Sequence, residues 1–157
     1  MRKSAGVLMY RVRDGEAQVL LVHPGGPFWV RRDDGAWTVP KGEFDADESA
    51  VDAARREFRE ELGADLGGNL EPLPPIRQAG GKEVHAFLVR GDFDPEALVS
   101  NRFTLEWPPR SGRMQSFPEV DRAAWFALDE AKRKLNPAQC AWLDAVARAA
   151  ARDGESV

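Results

Sequence analysis

The sequence predicts a layered α/β (α+β) fold in which one sheet packs against helices. Three observations support this prediction. Apolar strand patterns are interleaved with two or three amphipathic helical patterns along the chain. A length of 157 residues is enough for one domain with a sizeable core. No internal repeat or low-complexity linker divides the chain, so we expect a single domain over residues 1–152 and a frayed C-terminal tail over 153–157.

The first half of the chain begins with a predicted β-hairpin. Apolar-rich patterns over residues 4–12 and 17–23 predict two strands, and Asp14-Gly15 between them is a tight-turn signal. Residues 24–36 contain the sequence PGGPFWVRRDDG, whose glycines and prolines predict a loop. A short strand is expected over residues 37–40.

A helix is predicted to follow this strand. Any of residues 47–49 can cap its start, and Gly63 is a C-terminal stop signal. Apolar residues at helical spacing predict its core face, namely Val51, Ala54, Phe58 and Leu62.

The second half of the chain alternates strands and helices around a long connection. Strands are predicted over residues 76–80 and 83–90, and residues 91–120 are expected to be irregular, with WPPRSG at their centre. A further strand is predicted over 123–128. Two helices then follow in the prediction, one opening at Asp129 and one over residues 137–152.

Composition and charge argue against several functional classes. The net charge is −4 without a Lys/Arg block, which argues against a general nucleic-acid binder. No apolar run approaches 18 residues, so we expect neither a membrane span nor a signal peptide. The single cysteine, Cys140, suits a reducing compartment, and we expect a cytoplasmic protein that is a monomer or a homodimer.

Three glutamates of the predicted helix carry the strongest chemical signal. Glu57, Glu60 and Glu61 are spaced i, i+3 and i+4, which places their carboxylates on one flank within about one turn. Like charges this close repel one another, whereas a hard divalent cation takes several oxygen ligands and neutralises them. The spacing therefore predicts a Mg²⁺ site and, with it, phosphate chemistry.

The same stretch resembles the Nudix box. That pattern is G, five residues, E, seven residues, then R-E-U-x-E-E-x-G-U, where U is a bulky apolar residue. Ala64 stands at the last position and is smaller than usual, which affects packing and not chemistry. The remaining fixed positions match at the required spacing, and they are Gly42, Glu48, Arg56, Glu57, Phe58, Glu60, Glu61 and Gly63.

The resemblance implies a Nudix hydrolase with an α/β/α sandwich and a mixed central sheet. It implies that Mg²⁺ or Mn²⁺ is the cofactor and that the substrate is a nucleoside diphosphate linked to another moiety, cleaved at a P–O–P linkage. The implied catalytic and metal-binding residues are Glu57, Glu60, Glu61 and Gly42 of the box, with Glu119 as a further carboxylate outside it. Glu106 is the rival to Glu119 for that role.

Two other box residues are expected to be structural. Arg56 is predicted to hold Glu48 and a box carboxylate through its guanidinium, which would fix the preceding loop on the helix.

Residues outside the box are predicted to bind the substrate. Basic, aromatic and acidic side chains in the loops are the candidates, namely Lys41, Arg31, Arg32, Trp29, Glu106 and Arg110. The sequence WTVPKGE resembles the form found in many nucleoside and dinucleoside polyphosphate hydrolases, which favours dinucleoside polyphosphates or nucleoside triphosphates as substrates. A housecleaning hydrolase for modified nucleotides and a non-catalytic nucleotide-sensing domain are the alternatives.

Overall fold

The structure is a computed structural model, and it describes residues 2–155. Within that range seven strands form one sheet and two further strands form a separate hairpin. The strands of the large sheet are β1 (Lys3–Arg13), β2 (Glu16–Pro24), β3 (Lys41–Glu43), β4 (Glu71–Pro72), β5 (Ile76–Gln78), β6 (Lys82–Arg90) and β9 (Val120–Ala127). The hairpin is made of β7 (Arg102–Glu106) and β8 (Met114–Pro118).

The large sheet is mixed. Its main strand order is β4-β6-β1-β2-β9, with β3 added to β1 and β5 added to β6. Only the pairing of β1 with β6 is parallel among the described strands, and the other pairings are antiparallel. The mixed sheet predicted for the family fold is thereby confirmed.

Helices cover both faces of this sheet. Helix α1 (Ala50–Leu62) packs against one face, where Val7, Met9 and Phe58 belong to the same buried cluster. Helices α2 (Leu128–Lys134) and α3 (Leu143–Glu155) pack against the other face, with Leu8 and Leu21 of the sheet. The alternation of side chains along β1 explains the two clusters, since neighbouring residues of a strand point to opposite faces. The α/β/α sandwich is confirmed.

The local signals at both ends of α1 act as predicted. The Ser49 hydroxyl accepts a hydrogen bond of 3.2 Å from the backbone N–H of Asp52, which caps the start. Gly63 ends the helix with a left-handed φ of 77°, and its N–H donates to the carbonyl of Arg59. The predicted hairpin turn at Asp14-Gly15 is also confirmed, with φ values of 53° and 78°.

Two predicted elements are wrong. Residues 91–120 are not irregular throughout, because β7 and β8 pair in antiparallel register from Arg102↔Pro118 to Glu106↔Met114. Residues 37–40 form isolated bridges through Trp37 and Thr38, and the regular strand β3 begins only after Pro40, which has no N–H to donate.

The C-terminal helix differs from its prediction at both ends. Residues 137–142 form a 3₁₀ helix, and α3 proper starts at Leu143 and continues through Glu155. Asp153 therefore lies in the helix and not in a frayed tail, and it accepts a hydrogen bond of 2.6 Å from the hydroxyl of Tyr10. Residues 156–157 lie outside the described range. Among the helices described, none is both long and apolar enough to cross a membrane.

Candidate active site

The three predicted metal-binding glutamates lie on α1 but differ in burial. Glu57 and Glu61 are buried, with 7% and 8% of their surface exposed, whereas the Glu60 side chain is 37% exposed. The helix packs against β1 and β3 through its apolar residues, and the two buried glutamates adjoin that contact. Glu57, Glu60 and Glu61, called the glutamate flank or simply the flank, therefore lie at the edge of the core and not on a solvated face.

Gly42 provides the space for one of these carboxylates. It lies in β3, where it pairs with Ala5 of β1, so the sheet fixes its distance from the helix. A Cβ at position 42 would overlap the carboxylate of Glu57. Only glycine leaves this carboxylate in place, which is a physical reason for the glycine that begins the motif.

Arg56 connects the loop before the helix to the glutamate flank. Its Nε and Nη2 donate to the two carboxylate oxygens of Glu48, both at 2.9 Å. Its Nη1 donates to Glu57 at 2.7 Å and to Glu60 at 3.2 Å. These hydrogen bonds, first those to Glu48, raise the pKa of Arg56, and the guanidinium lowers the pKa of Glu48. The guanidinium thus has the geometry that the predicted structural role requires.

Burial disfavours the charged forms of two carboxylates of the flank. Burial, together with the carboxylates of Glu57 and Glu119, raises the pKa of Glu61 to about 8, and Lys41 acts in the opposite direction. Burial also raises the pKa of Glu57, although Arg56 partly offsets it. Burial lowers the pKa of Lys41, and the charge of Lys82 adds to that effect. A cation bound at the flank would relieve this accumulation of negative charge.

A chain of backbone hydrogen bonds holds Glu119 beside the flank. The N–H of Asn101 donates to the carbonyl of Glu60 at 2.8 Å, and the carbonyl of Asn101 accepts from the N–H of Glu119 at 2.8 Å. The N–H of Gly25 donates to the carbonyl of Glu119 at 2.9 Å, and a Cβ on Gly25 would overlap the carbonyl of Pro118. The main chain at Glu119 is therefore fixed from both sides.

Glu106, the rival carboxylate, lies in a different environment. It ends β7, and its Oε1 accepts a hydrogen bond of 2.8 Å from the backbone N–H of Arg110. Arg110 has a left-handed φ of 62° in the turn between β7 and β8. Glu106 and Arg110 thus lie together at the tip of the hairpin, whereas the charge of Glu119 acts on both Glu57 and Glu61.

The remaining predicted substrate residues fall into two groups. Lys41 begins β3, and its backbone N–H donates a hydrogen bond of 3.2 Å to Oε2 of Glu61. The structure therefore brings Lys41 to the glutamate flank. Trp29, Arg31 and Arg32 lie in the loop before β3, with the Arg32 guanidinium 5.5 Å from the Trp29 ring. This loop contacts the β7–β8 hairpin through Phe28, whose ring centroid lies 5.2 Å from that of Trp107.

The residues present have the chemistry of a Mg²⁺ or Mn²⁺ site. Glu57, Glu60, Glu61 and Glu119 offer oxygen donors only, which hard cations prefer, and the glycine at position 42 leaves room for a carboxylate that a side chain would displace. Within residues 2–155, however, no group of three or more acidic, histidine or cysteine side chains is already gathered around one point. Arg56 engages Glu57 through Oε1 and Glu60 through Oε2, and the backbone N–H of Lys41 engages Glu61 through Oε2, so each carboxylate keeps a second oxygen that could bind a cation.

One partly buried polar pair near Glu119 was not predicted from the sequence. His23 is fully buried, its Nδ1 lies 2.8 Å from Oδ1 of Asp121, and its Nε2 lies 2.6 Å from the carbonyl of Arg32. A carbonyl can only accept, so Nε2 carries a proton. The pair ties the loop that bears Arg32 to the start of β9. The available signal was the position of Asp121 two residues after Glu119, next to a predicted strand.

Comparisons with known proteins bear on the family and the fold. A family model described as the NUDIX domain matches residues 2–146. The m7GpppN-mRNA hydrolase of Saccharomyces cerevisiae is 30% identical over 101 residues, which are 64% of this chain. The match spans only 9% of the length of that curated relative.

Two solved structures show the same fold. The Ap4A hydrolase of C. elegans, in a binary complex, has a TM-score of 0.62 at 24% identity, covering 95% of this chain and 96% of that one. The NUDIX domain of Shewanella oneidensis NrtR, complexed with ADP ribose, has a TM-score of 0.59 at 19% identity, covering 93% and 85% of the two chains.

Proposed function

Because the chain belongs to the NUDIX domain family, we propose that it is a Mg²⁺-dependent pyrophosphohydrolase acting on a nucleoside diphosphate linked to another moiety. The family membership predicted from the sequence is confirmed, and it supports an enzyme that hydrolyses phosphorus-containing anhydrides. Dinucleoside polyphosphates and nucleoside triphosphates are the proposed substrates. The retained set of Glu57, Glu60 and Glu61, with Gly42 shaped around Glu57, is the observation that carries the proposal.

In the proposed reaction, water adds across the P–O–P linkage. The oxygen of water bonds to one phosphorus, the bridging oxygen leaves with the other, and the protons of water pass to the products or the solvent. A divalent cation bound at the flank would neutralise developing charge and lower the pKa of the attacking water. The ligands would be Glu57, Glu60, Glu61 and the carbonyl of Gly42, with Glu119 as a further ligand or the general base.

Other residues are proposed to bind and orient the substrate. Lys41 lies beside Glu61 and would contact a phosphate, so its ammonium offsets charge next to the reacting group. Arg31 and Arg32 would reach the rest of the polyphosphate chain from their loop, and Trp29 would contact the nucleoside. Arg110 and Glu106 would meet a second moiety at the tip of the β7–β8 hairpin, where a hydrogen bond joins them.

The names of two similar proteins support a small nucleotide ligand, whereas a third is named as a hydrolase of m7GpppN-mRNA. One is a hydrolase of Ap4A and another holds ADP ribose, both nucleoside diphosphate derivatives. The proposed partner is a small molecule and not a nucleic acid, because the net charge is −4 without a Lys/Arg block, and the proposed location is the cytoplasm. A housecleaning enzyme for modified nucleotides would use the same residues, so it differs in substrate and not in site.

A Mg²⁺-dependent release assay tests the proposal. Phosphate and pyrophosphate release are measured with nucleoside triphosphates, oxidised nucleotides, diadenosine polyphosphates, ADP-ribose and NADH. We expect selective turnover that needs Mg²⁺ and falls by at least about 100-fold in Glu60→Gln, because a cation ligand is lost. The matched control is Asp52→Asn, which removes the same charge from an exposed position of the same helix and should leave turnover unchanged.

Two outcomes contradict the proposal. An equal loss of turnover in Asp52→Asn would mean that the overall charge of α1, and not the position of Glu60 on the flank, determines the rate. Silence of the folded wild-type protein across the panel would favour the nucleotide-sensing alternative.

A further inference from the structure

A narrow apolar groove opens beside Glu119. It has a volume of about 360 Å³, within the range of sites that hold small ligands. One wall is formed by Gly26, Pro27 and Val30 of the loop before β3, and the other by Phe117 and Pro118 at the end of β8. Asp121 supplies the only charged side chain in its lining. These six residues are called the base slot below.

The two walls of the base slot are held together next to the candidate catalytic residue. Gly26 approaches the ring of Phe103 so closely that a Cβ would lie 2.9 Å from it, and its φ of 95° also favours glycine. The hydrogen bond from Gly25 to the carbonyl of Glu119 joins the loop to the main chain that follows Pro118. Pro118, which lines the slot, directly precedes Glu119 in the chain.

Asp121 gives the slot a defined polarity. Its Oδ1 is occupied by Nδ1 of His23 at 2.8 Å, with Arg122 Nε farther away at 3.8 Å. Among the residues that the structure describes, none donates a hydrogen bond to its Oδ2. His23 is buried and also bound to the carbonyl of Arg32, so the carboxylate is held in one orientation. The slot thus combines apolar walls with one fixed acceptor.

We propose that the base slot binds the nucleobase of the substrate and that Oδ2 of Asp121 accepts a hydrogen bond from an exocyclic amino group. This inference rests on the proposed hydrolase for its substrate class. A base offers two apolar faces, which suit the walls, and an amino group at its edge satisfies the acceptor. A base with a carbonyl in that position would face the carboxylate with a second acceptor and leave both unpaired.

A second groove is also lined by Asp121 but suits a base less well. It has a volume of about 500 Å³ and runs along β9 and α2. Its lining includes charges of both signs, from Asp33, Arg122 and Lys134. Asp33 and Lys134 already pair with each other, so a base placed there would desolvate this ion pair without offering it a better partner. The base slot is favoured because its walls are apolar and because it adjoins Glu119.

Matched nucleotide pairs and two variants test the inference. We expect the wild-type kcat/KM for ATP to exceed that for ITP by about 10-fold or more, and CTP to exceed UTP likewise, since one specific edge contact is worth about 1–3 kcal/mol. Asp121→Asn keeps the size of the side chain but removes the negative charge of the carboxylate, which weakens the acceptor whichever amide atom faces His23. The ATP/ITP ratio should then fall by about 10-fold or more.

A blocking variant tests the walls. Val30 is 63% exposed, so Val30→Phe should fold while filling the slot and should raise KM for ATP. Val99→Phe is the matched control, because Val99 is 68% exposed and does not line the slot, so its enlargement should leave KM unchanged.

Equilibrium binding separates the inference from the proposed reaction. AMP and IMP have no P–O–P linkage and cannot be turned over, so calorimetry with them reports binding alone. We expect AMP to bind more tightly than IMP, and we expect this difference to be lost in Asp121→Asn.

The outcomes distinguish the two ideas. If the wild type turns over ATP but neither the ATP/ITP ratio in Asp121→Asn nor KM in Val30→Phe changes, the base slot is wrong and the hydrolase stands. If no nucleotide is hydrolysed but the AMP preference depends on Asp121, the slot is supported and the hydrolase is overturned.

Discussion

Two helices of equal length cover opposite faces of the sheet and use their buried sides differently. Helices α1 and α3 each contain 13 residues. Helix α1 buries Glu57 and Glu61, whereas the buried side chains described for α3 are apolar, namely Leu143, Val146 and Ala149. Burial of an apolar side chain stabilises the folded state, whereas burial of a carboxylate destabilises it unless a partner compensates. The difference indicates that α3 contributes mainly stability. Helix α1 is less stabilising because it buries charged side chains that the proposed reaction requires.

The largest effect expected from this comparison concerns Glu57. We predict that Glu57→Gln lowers kcat/KM by at least about 100-fold, equivalent to about 2.7 kcal/mol, because a charged ligand is lost. The metal-free variant should be as stable as the wild type or more stable at pH 7.5, since burial raises the pKa of Glu57 and disfavours its ionised form. Urea unfolding in EDTA and steady-state kinetics in Mg²⁺ measure the two quantities.

The opposite result for Glu57 would break the comparison. A variant that retained turnover and lost more than about 1 kcal/mol of stability would show that the carboxylate serves the fold, since ordinary structural substitutions have that size. The ion pair between Glu57 and Arg56 would then be its main role.

The next effect concerns α3. Val146 is fully buried among the core residues of the α2 and α3 face. Val146→Ala removes two methyl groups and leaves a cavity, so we predict a loss of about 2 kcal/mol in the free energy of unfolding. Since the site lies on the other face of the sheet, kcat/KM of the folded protein should change by less than about twofold.

The control for Val146 is a valine that is not buried. Val99→Ala makes the same deletion at a side chain that is 68% exposed and should change stability by less than about 0.5 kcal/mol. A fall in kcat/KM for Val146→Ala as large as that for Glu57→Gln would show that the two helices do not divide stability and chemistry.

The sequence predicted the parts of α1 that show strong helical periodicity or carry a recognisable motif. The caps at Ser49 and Gly63 follow from local chemistry, so the bounds of α1 were accessible without tertiary contacts. The Glu57, Glu60 and Glu61 flank follows from helical spacing in the same way. The β7–β8 hairpin was not predicted, although Arg102–Glu106 alternates polar and apolar residues. The proline, serine and glycine residues of WPPRSG are typical of a loop and obscured the flanking strands.

Other parts of the site could not be predicted because they depend on contacts distant in sequence. Arg32, His23 and Asp121 meet through side-chain hydrogen bonds that span up to 98 positions. The 3₁₀ start of the last helix and the anchoring of Asp153 by Tyr10 likewise depend on packing across the sheet. The burial that raises the pKa of Glu61 arises only when β3 lies against α1. Periodicity identifies a helix face, but it does not say which charged residues that face will bury.

The metal-free protein is also expected to lose stability as the pH rises. Burial raises the pKa of Glu61 to about 8, above that of the unfolded chain, so its contribution is fully present below the unfolded pKa and is lost as pH rises through about 8. In EDTA the free energy of unfolding should therefore fall between about pH 5 and pH 8, by no more than about 1.4 kcal/mol per pH unit for one proton. Glu61→Gln should flatten this slope, and saturating Mg²⁺ should stabilise the wild type more at pH 8 than at pH 5.5. A slope unchanged in Glu61→Gln would assign the pH dependence to other groups and would remove the argument that α1 carries an electrostatic penalty that α3 avoids.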